Sequence, residues 1–261
     1  MSNDPLLDQL SLIVRRFPQL PSEREREAFK AELRKKTAAA SGTVSVSLAD
    51  AASASPSVNL LDRRNHREFS NRPIGMAELT RVLSPLRATW NGDRWRFNYA
   101  SASSLYGIST FLIVHRRPYG PGLARSQAGS FRFDPRAFGL NLIEADACIG
   151  RDAHAALNQP VFERAAISLY LIADFGISCP VYGANGIRFA LLEAGLMSQL
   201  IDQSAPSTGI GVCHVGAVDG SRLDTVLRLR PGQVLLHSML LGCVTQSELR
   251  PEMRTLLPHE S

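Results

Sequence analysis

Near the start of the chain, Leu6, Leu10, Ile13, Val14 and Phe17 recur at helical spacing. Asp4 is placed to cap them, Pro5 suits a first helical position, and Pro18 and Pro21 end the run, so a helix is predicted over 4–17. Ser22-Glu23-Arg24-Glu25 opens a second helix with a capping-box pattern that runs to about Lys36. Phe29 and Leu33 are its only apolar anchors, so it reads as a solvated arm. Residues 37–57 are rich in Ala and Ser, and the alternation Val44, Val46, Leu48 predicts an edge strand within a linker or arm.

From Val58 the pattern becomes that of a core. Leu79, Val82, Leu83 and Leu86 predict a helix over 75–87, and alternation at Trp95, Phe97 and Tyr99 predicts a strand. Further strands are predicted at 108–115, 130–134, 140–143, 167–175, 209–216 and 234–244, with a turn at 116–122. A long helix over 186–203 carries Phe189, Leu192, Leu196 and Leu200 on one side, and a shorter one is predicted at about 219–229. Strands and helices mix without strict alternation, which points to α+β with a central mixed or antiparallel sheet. The chain divides into an arm and linker at 1–57, a core domain at 58–247 and a tail at 248–261.

A length of 261 residues fits one sizeable core with appendages, and 44% hydrophobic against 20% charged residues fits a globular protein. No apolar run approaches the ~18–20 residues a membrane span needs. Met1-Ser2-Asn3-Asp4-Pro5 lacks the features of a signal peptide, so a cytoplasmic location is expected. Cys148, Cys179, Cys213 and Cys243 are far apart, which argues against a disulfide framework or a structural metal site; all four read as small buried hydrophobes. The net charge of +5 is scattered, with no basic stripe for nucleic acid.

The densest chemistry lies in Leu61-Asp62-Arg63-Arg64-Asn65-His66-Arg67-Glu68-Phe69-Ser70. Guanidinium forks bind phosphate through paired, charge-assisted hydrogen bonds, and Asn65 adds a neutral donor. Next come Ser101-Ala102-Ser103-Ser104-Leu105-Tyr106, Tyr182-Gly183 leading to Leu191-Leu192-Glu193-Ala194-Gly195, and Gly209-Ile210-Gly211-Val212-Cys213-His214-Val215-Gly216. This order resembles the flavin-dependent nitroreductase superfamily over roughly 58–245. More narrowly it is similar to the SagB-type dehydrogenases, which oxidise thiazolines and oxazolines to thiazoles and oxazoles.

The resemblance implies a nitroreductase-like fold, an FMN cofactor and a homodimer with the flavin at the subunit seam. It assigns Arg63, Arg64, Asn65 and Arg67 to the FMN phosphate, with Asn65 where the family has serine. Ser101 and Ser103 fall in the family's Pro-Ser-Gly-Gly-Ala-Leu-Tyr-Pro segment, beside the isoalloxazine. Gly216 is assigned the N–H that faces flavin N5, with Val215 packing near the ring. His214 replaces a proline and is a candidate for the flavin edge or the substrate. The family's catalytic Lys-Tyr pair appears as Val181-Tyr182, so Tyr182 is left to act alone or with His214. Glu193, in mid-helix, reads as the partner of a basic residue. The stretch 21–30 resembles the lead-in of oxidase domains in nonribosomal peptide synthetases, which implies a carrier-protein-tethered substrate. Two rivals are an NAD(P)H-dependent nitro or quinone reductase and an inactive scaffold of the same fold.

Overall fold

Two largely apolar strands set the centre of the molecule. Ile108–Val114 and Ile167–Asp174 are buried along nearly their whole length, as strands covered on both faces must be. The structure, a computed structural model, describes residues 5–39, 45–48, 63–115 and 128–244, with side chains from residue 10 onward and not those of 37–39. In chain order the elements are α1 (Pro5–Arg16), α2 (Glu23–Ala39), β1 (Val46–Ser47), α3 (Met76–Leu83), β2 (Thr89–Trp90), β3 (Trp95–Arg96), β4 (Ile108–Val114), β5 (Gly129–Asp134) and β6 (Gly139–Ala145). They continue as α4 (Gln159–Arg164), β7 (Ile167–Asp174), α5 (Phe175–Tyr182), α6 (Asn185–Ser204), β8 (Ile210–Val215), α7 (Gly220–Val226) and β9 (Gln233–Cys243).

Seven strands form one sheet in the order β1-β6-β5-β4-β7-β9-β8, and every neighbouring pair is antiparallel. Side-chain alternation sends Leu112, Leu169 and Leu171 to one face, where they pack with Leu79, Val82, Met197 and Ile201 of α3 and α6. Phe111, Ile113, Tyr170 and Ile172 go to the other face, with Val161 and Phe162 of α4 and Leu223 of α7. Each fully buried leucine contributes roughly 2 kcal/mol.

The arginine-bearing segment runs along the outside of β8. Asn65 forms a parallel bridge with Val212, and the His66 N–H donates to the Val212 carbonyl at 2.8 Å. A Cβ at Gly211 would strike the His66 side chain, and one at Gly242 would strike the Phe69 ring. These glycines therefore let the segment lie flat on β8 and β9.

Several predicted elements change. The helix predicted over 75–87 ends at Leu83 and tightens into a 3₁₀ turn at Ser84–Leu86, where Pro85 offers no N–H to continue it. The strand predicted around 95–99 shrinks to Trp95–Arg96, paired with Thr89–Trp90 outside the main sheet. Phe97 instead stacks on Tyr106, ring centroids 3.9 Å apart. Helix α5 was hidden because Phe175–Tyr182 shows no polar face and contains Pro180. Of α6, the predicted side splits: Leu192 and Leu196 are exposed, while Ala190, Ala194, Met197 and Ile201 are buried. Cys148 is exposed, in contrast to its predicted burial, while the other three cysteines are buried. The N-terminal helices are more than an arm: Leu10 and Ile13 join the core, and Leu20 N–H donates to the Pro180 carbonyl at 2.8 Å. The predicted turn at 116–122, most of the 37–57 linker and the tail at 248–261 lie outside the described residues.

Candidate functional site

The arginine segment is anchored where β8 ends. His214 N–H donates to Asn65 Oδ1 at 2.7 Å, which places Arg63 beside the C-terminal part of α6. There Arg63 Nη1 meets Asp202 Oδ2 at 3.2 Å, and Asp202 Oδ1 lies 3.5 Å from His214 Nε2. The Asp202 carboxylate is almost fully buried, so the Arg63 guanidinium and the His214 ring stand where water would otherwise meet it. His214 Nδ1 in turn shares a hydrogen bond of 2.8 Å with His237 Nε2. Burial, helped by the adjacent His214, lowers His237 to about 4 and keeps it neutral at pH 7. Arg67 donates to the Leu157 carbonyl at 2.7 Å and to Asn158 Oδ1 at 3.3 Å, and it lies close enough to Cys213 to act on that thiol. Arg64 is half-buried, Val215 is buried, and Gly216 is exposed, with nothing within 4 Å of where a Cβ would stand. The strand end thus presents three guanidinium groups and an open backbone N–H, a donor set suited to a phosphate and an adjoining flat ring.

A second cluster forms around the loop 101–108. Ser103, Ser104 and Tyr106 hold left-handed φ values of 50°, 56° and 49°. Such geometry costs non-glycine residues on the order of 1 kcal/mol each, so the surroundings must impose it. Ser101 does part of this, since its Oγ accepts from the Tyr106 N–H at 2.8 Å and its carbonyl accepts from the Ser104 N–H at 3.0 Å. The Ser103 hydroxyl is then hydrogen-bonded to the Tyr182 hydroxyl. Tyr182 closes α5 just before Gly183, whose φ of 56° turns the chain into α6, and its ring meets Phe189 edge-on at 4.9 Å. Val181, at the family's lysine position, is buried and carries no base.

Glu193 does not meet the predicted basic residue; among the described residues it forms no ion pair. Its carboxyl sits against the Ser101 hydroxyl and accepts from the Ile108 N–H at 3.4 Å. Burial raises it from 4.5 to about 7, opposed by those hydrogen bonds. A cavity of about 20 Å³, lined by Ser101, Ala102, Ser178, Tyr182, Phe189 and Glu193 among others, lies between them.

The sequence-predicted residues therefore fall into two groups. Arg63, Arg64, Asn65, Arg67, His214, Val215 and Gly216 gather at the β8 end, while Ser101, Ser103 and Tyr182 gather at the start of α6. Asp202 and Glu193, on one helix, mark the two groups, and nine residues at 1.5 Å each put them about 13 Å apart along the axis. Tyr182 and His214 are not brought together within one chain. Sequence reasoning missed Asp202 and His237; the available signal was a carboxylate on the buried face of an otherwise apolar helix and a histidine within an apolar strand. Leu191, Leu192 and Leu196 form an exposed apolar stripe between the groups, and Gly195 beside them has nothing within 4 Å of a Cβ position. Among the described residues there is no cluster able to hold a metal ion and no helix long and apolar enough to cross a membrane.

The family model described as the nitroreductase family matches residues 60–243. A protein of Methanocaldococcus jannaschii that carries the name of a nitroreductase is 26% identical over 178 residues, 68% of this chain and 86% of its own length. Among solved structures, the E. coli microcin synthetase McbBCD complex with truncated pro-MccB17 bound contains a chain that matches with a TM-score of 0.58 at 17% identity, covering 93% of this chain and 95% of that one. A nitroreductase structure from Ralstonia eutropha gives 0.56 at 19%, covering 79% and 87%. One from Anabaena variabilis gives 0.55 at 21% over 70% of this chain, which spans only 37% of the Anabaena chain. At these identities the structures establish the fold.

Proposed function

This chain belongs to the nitroreductase family, and from that premise we propose that it dehydrogenates a thiazoline or oxazoline ring to the thiazole or oxazole on a carrier-protein-tethered intermediate, as a cytoplasmic SagB-type enzyme. It is an oxidoreductase of that family, whose cofactor is FMN. The donor set at the β8 end fits the cofactor: Arg63, Arg64, Asn65 and Arg67 would hold the phosphate, and Val215 and Gly216 the ring. When bound, FMN supplies the acceptor for a hydride.

Aromatising an azoline removes one hydride and one proton, so the chain must receive the proton. Tyr182 is the residue assigned that role, and its contact with Ser103 is the observation that carries the reading. The Ser103 hydroxyl fixes the direction of the phenol, and as the phenol takes the substrate's proton its own passes through Ser103 to solvent, which reaches the half-buried serine. Nitro or quinone reduction by NAD(P)H moves protons in the opposite sense, onto the reduced substrate, and solvent can supply them. Tyr182→Phe should therefore keep its flavin and its folding while azoline oxidation falls roughly 10²-fold, with NADPH-driven nitro reduction unchanged. Azoline oxidation within a few-fold of the parent would dismiss Tyr182 as the proton acceptor.

The two groups of site residues, separated along α6, favour a site completed across a two-fold dimer. The exposed stripe of Leu191, Leu192 and Leu196 is a face a second copy would cover. Light scattering should give about twice the chain mass of 28.5 kDa. Leu192→Glu combined with Leu196→Glu should yield a monomer with little flavin, and a parent protein that is monomeric yet flavin-saturated would refute the shared site.

A further inference from the structure

The hairpin of β2 and β3 stands outside the main sheet, and the chemistry described so far gives it no task. It is nevertheless braced to hold its shape. Ala88 N–H donates to the Pro135 carbonyl at 2.8 Å, and Asn98 Nδ2 donates to the Pro85 carbonyl at 2.9 Å. Across the loop, Asn91 Oδ1 accepts from the N–H groups of Asp93 and Arg94 at 3.2 and 2.9 Å. Trp90 and Trp95 are directly opposed in register, so both rings stand on one face, where they meet edge-on at 5.5 Å. Trp90 is 51% exposed, a large apolar ring left in water.

Guanidinium groups surround this hairpin. Arg136, in the turn after β5, lies over the Trp95 ring at 5.6 Å, on the tryptophan face, and the exposed Arg94 ends the loop beside it. Arg96 is exposed on the reverse face, opposite Thr89, and Arg87 is exposed at the base. None of the four has a carboxylate within ion-pair distance among the described residues. The acids nearby are Asp93 in the loop and Asp134, whose Oδ1 already accepts from the N–H groups of Arg136 and Ala137. Paired strands lie about 5 Å apart, less than a Debye length of ~8 Å, so arginines on both faces add to one positive field. An exposed tryptophan among unpaired arginines is the composition of an interface core. A two-fold contact with a second copy would set these like charges against each other, and a single exposed ring is too small a face to anchor in lipid. The hairpin also stands close to the site. Arg96 precedes Ser101 by five residues, which puts it at most ~18 Å from the loop that presents Ser103 to Tyr182. A cavity of about 350 Å³ is lined both by Phe97 and Arg136 beside the hairpin and by Ser104, Leu105 and Tyr106 of that loop.

We propose that this hairpin is the docking surface for an acidic carrier domain, whose carboxylates meet the arginines and whose apolar residue covers Trp90. That the acidic partner is the substrate's carrier rests on the azoline reading. Trp90 and Trp95 are the chain's two tryptophans, so their emission reports on this surface alone. The experiment titrates flavin-saturated protein with an acidic peptidyl carrier domain that lacks tryptophan and bears a thiazolinyl thioester, followed by calorimetry and by tryptophan emission. The same ring is then offered as a short free thioester, and oxidation of both forms is measured. The parent should bind the carrier saturably with a change in emission. Trp90→Ala, and Arg94→Glu combined with Arg96→Glu, should each weaken binding at least about tenfold, the scale of a lost interface anchor. Both variants should raise KM for the carrier-bound ring by a similar factor and leave flavin content and oxidation of the free thioester unchanged. No binding by the parent, or undiminished binding by either variant, would overturn the docking surface. A change of oligomeric mass in the variants would assign the hairpin to a second copy instead, and hairpin-dependent binding to phosphatidylglycerol vesicles would assign it to a membrane. Carrier binding that follows the hairpin while neither thioester is oxidised would refute the azoline reading and leave the docking surface standing.

Discussion

Replacing Arg63 and Arg67 together with alanine should give a folded protein that purifies almost free of flavin. Each guanidinium would contribute a charge-assisted contact to the phosphate worth about 1.5–3 kcal/mol, so losing two weakens binding by roughly 10²–10⁴-fold. The folded-state cost is smaller for Arg67, which is exposed and gives up contacts to Leu157 and Asn158. Arg63 is more delicate, since its removal leaves the buried Asp202 facing only His214. Adding Asp202→Asn to the double variant removes that stranded charge and separates a loss of flavin from a loss of fold. The measurement is the ratio of flavin to protein absorbance, followed by titration with FMN. A double variant that retains full flavin would show that the cluster holds something else.

Glu193→Gln should raise thermal stability at pH 8 and leave it unchanged near pH 4. In the folded chain this carboxyl loses its proton at about 7, whereas in the unfolded chain it does so near 4.5. The folded state therefore holds the proton more tightly, and its advantage is complete below 4.5. That advantage drains away as pH rises through 7, at a total of roughly 3 kcal/mol. Glutamine keeps an oxygen for the Ile108 N–H and an amide for Ser101 while never ionising. At about 2–4 °C per kcal/mol for a chain of this size, the midpoint should rise by several degrees at pH 8. Thermal scans of parent and variant from pH 4 to 8 test this; parallel curves would mean that Glu193 is not held neutral by its surroundings.

Most of the architecture was visible in the sequence because its strands obey simple rules. Strands β4 and β7 are predominantly apolar runs, and the edge strand at 46–47 follows from the alternation of Val46 and Leu48. Helix α5 was not visible, since an apolar octet with an internal proline carries no period to detect. The outward side of α6 was misread for a related reason: Leu192 and Leu196 are as apolar as core residues, and only the packing of Ala190, Ala194 and Met197 shows which side faces the sheet. The candidate residues at 63–67 and 214–216 come from contiguous motifs, and the structure brings the two segments together. The partners Asp202 and His237 were not legible, because a contact 139 residues away in sequence, such as Arg63 to Asp202, leaves no local pattern.

Helix α6 also acts as a ruler. Its residue 193 secures the loop that presents Ser103 to Tyr182, and its residue 202 secures the arginine that serves the opposite end. Between them the helix does not tolerate a change of length. Deleting one residue there would draw the ends together by 1.5 Å and turn one against the other by about 100°. Asp202 would then swing away from Arg63 and His214 while Glu193 stayed in register with Ser101. The distance between the two ends of the site is thus written into the number of residues between two carboxylates on one rod.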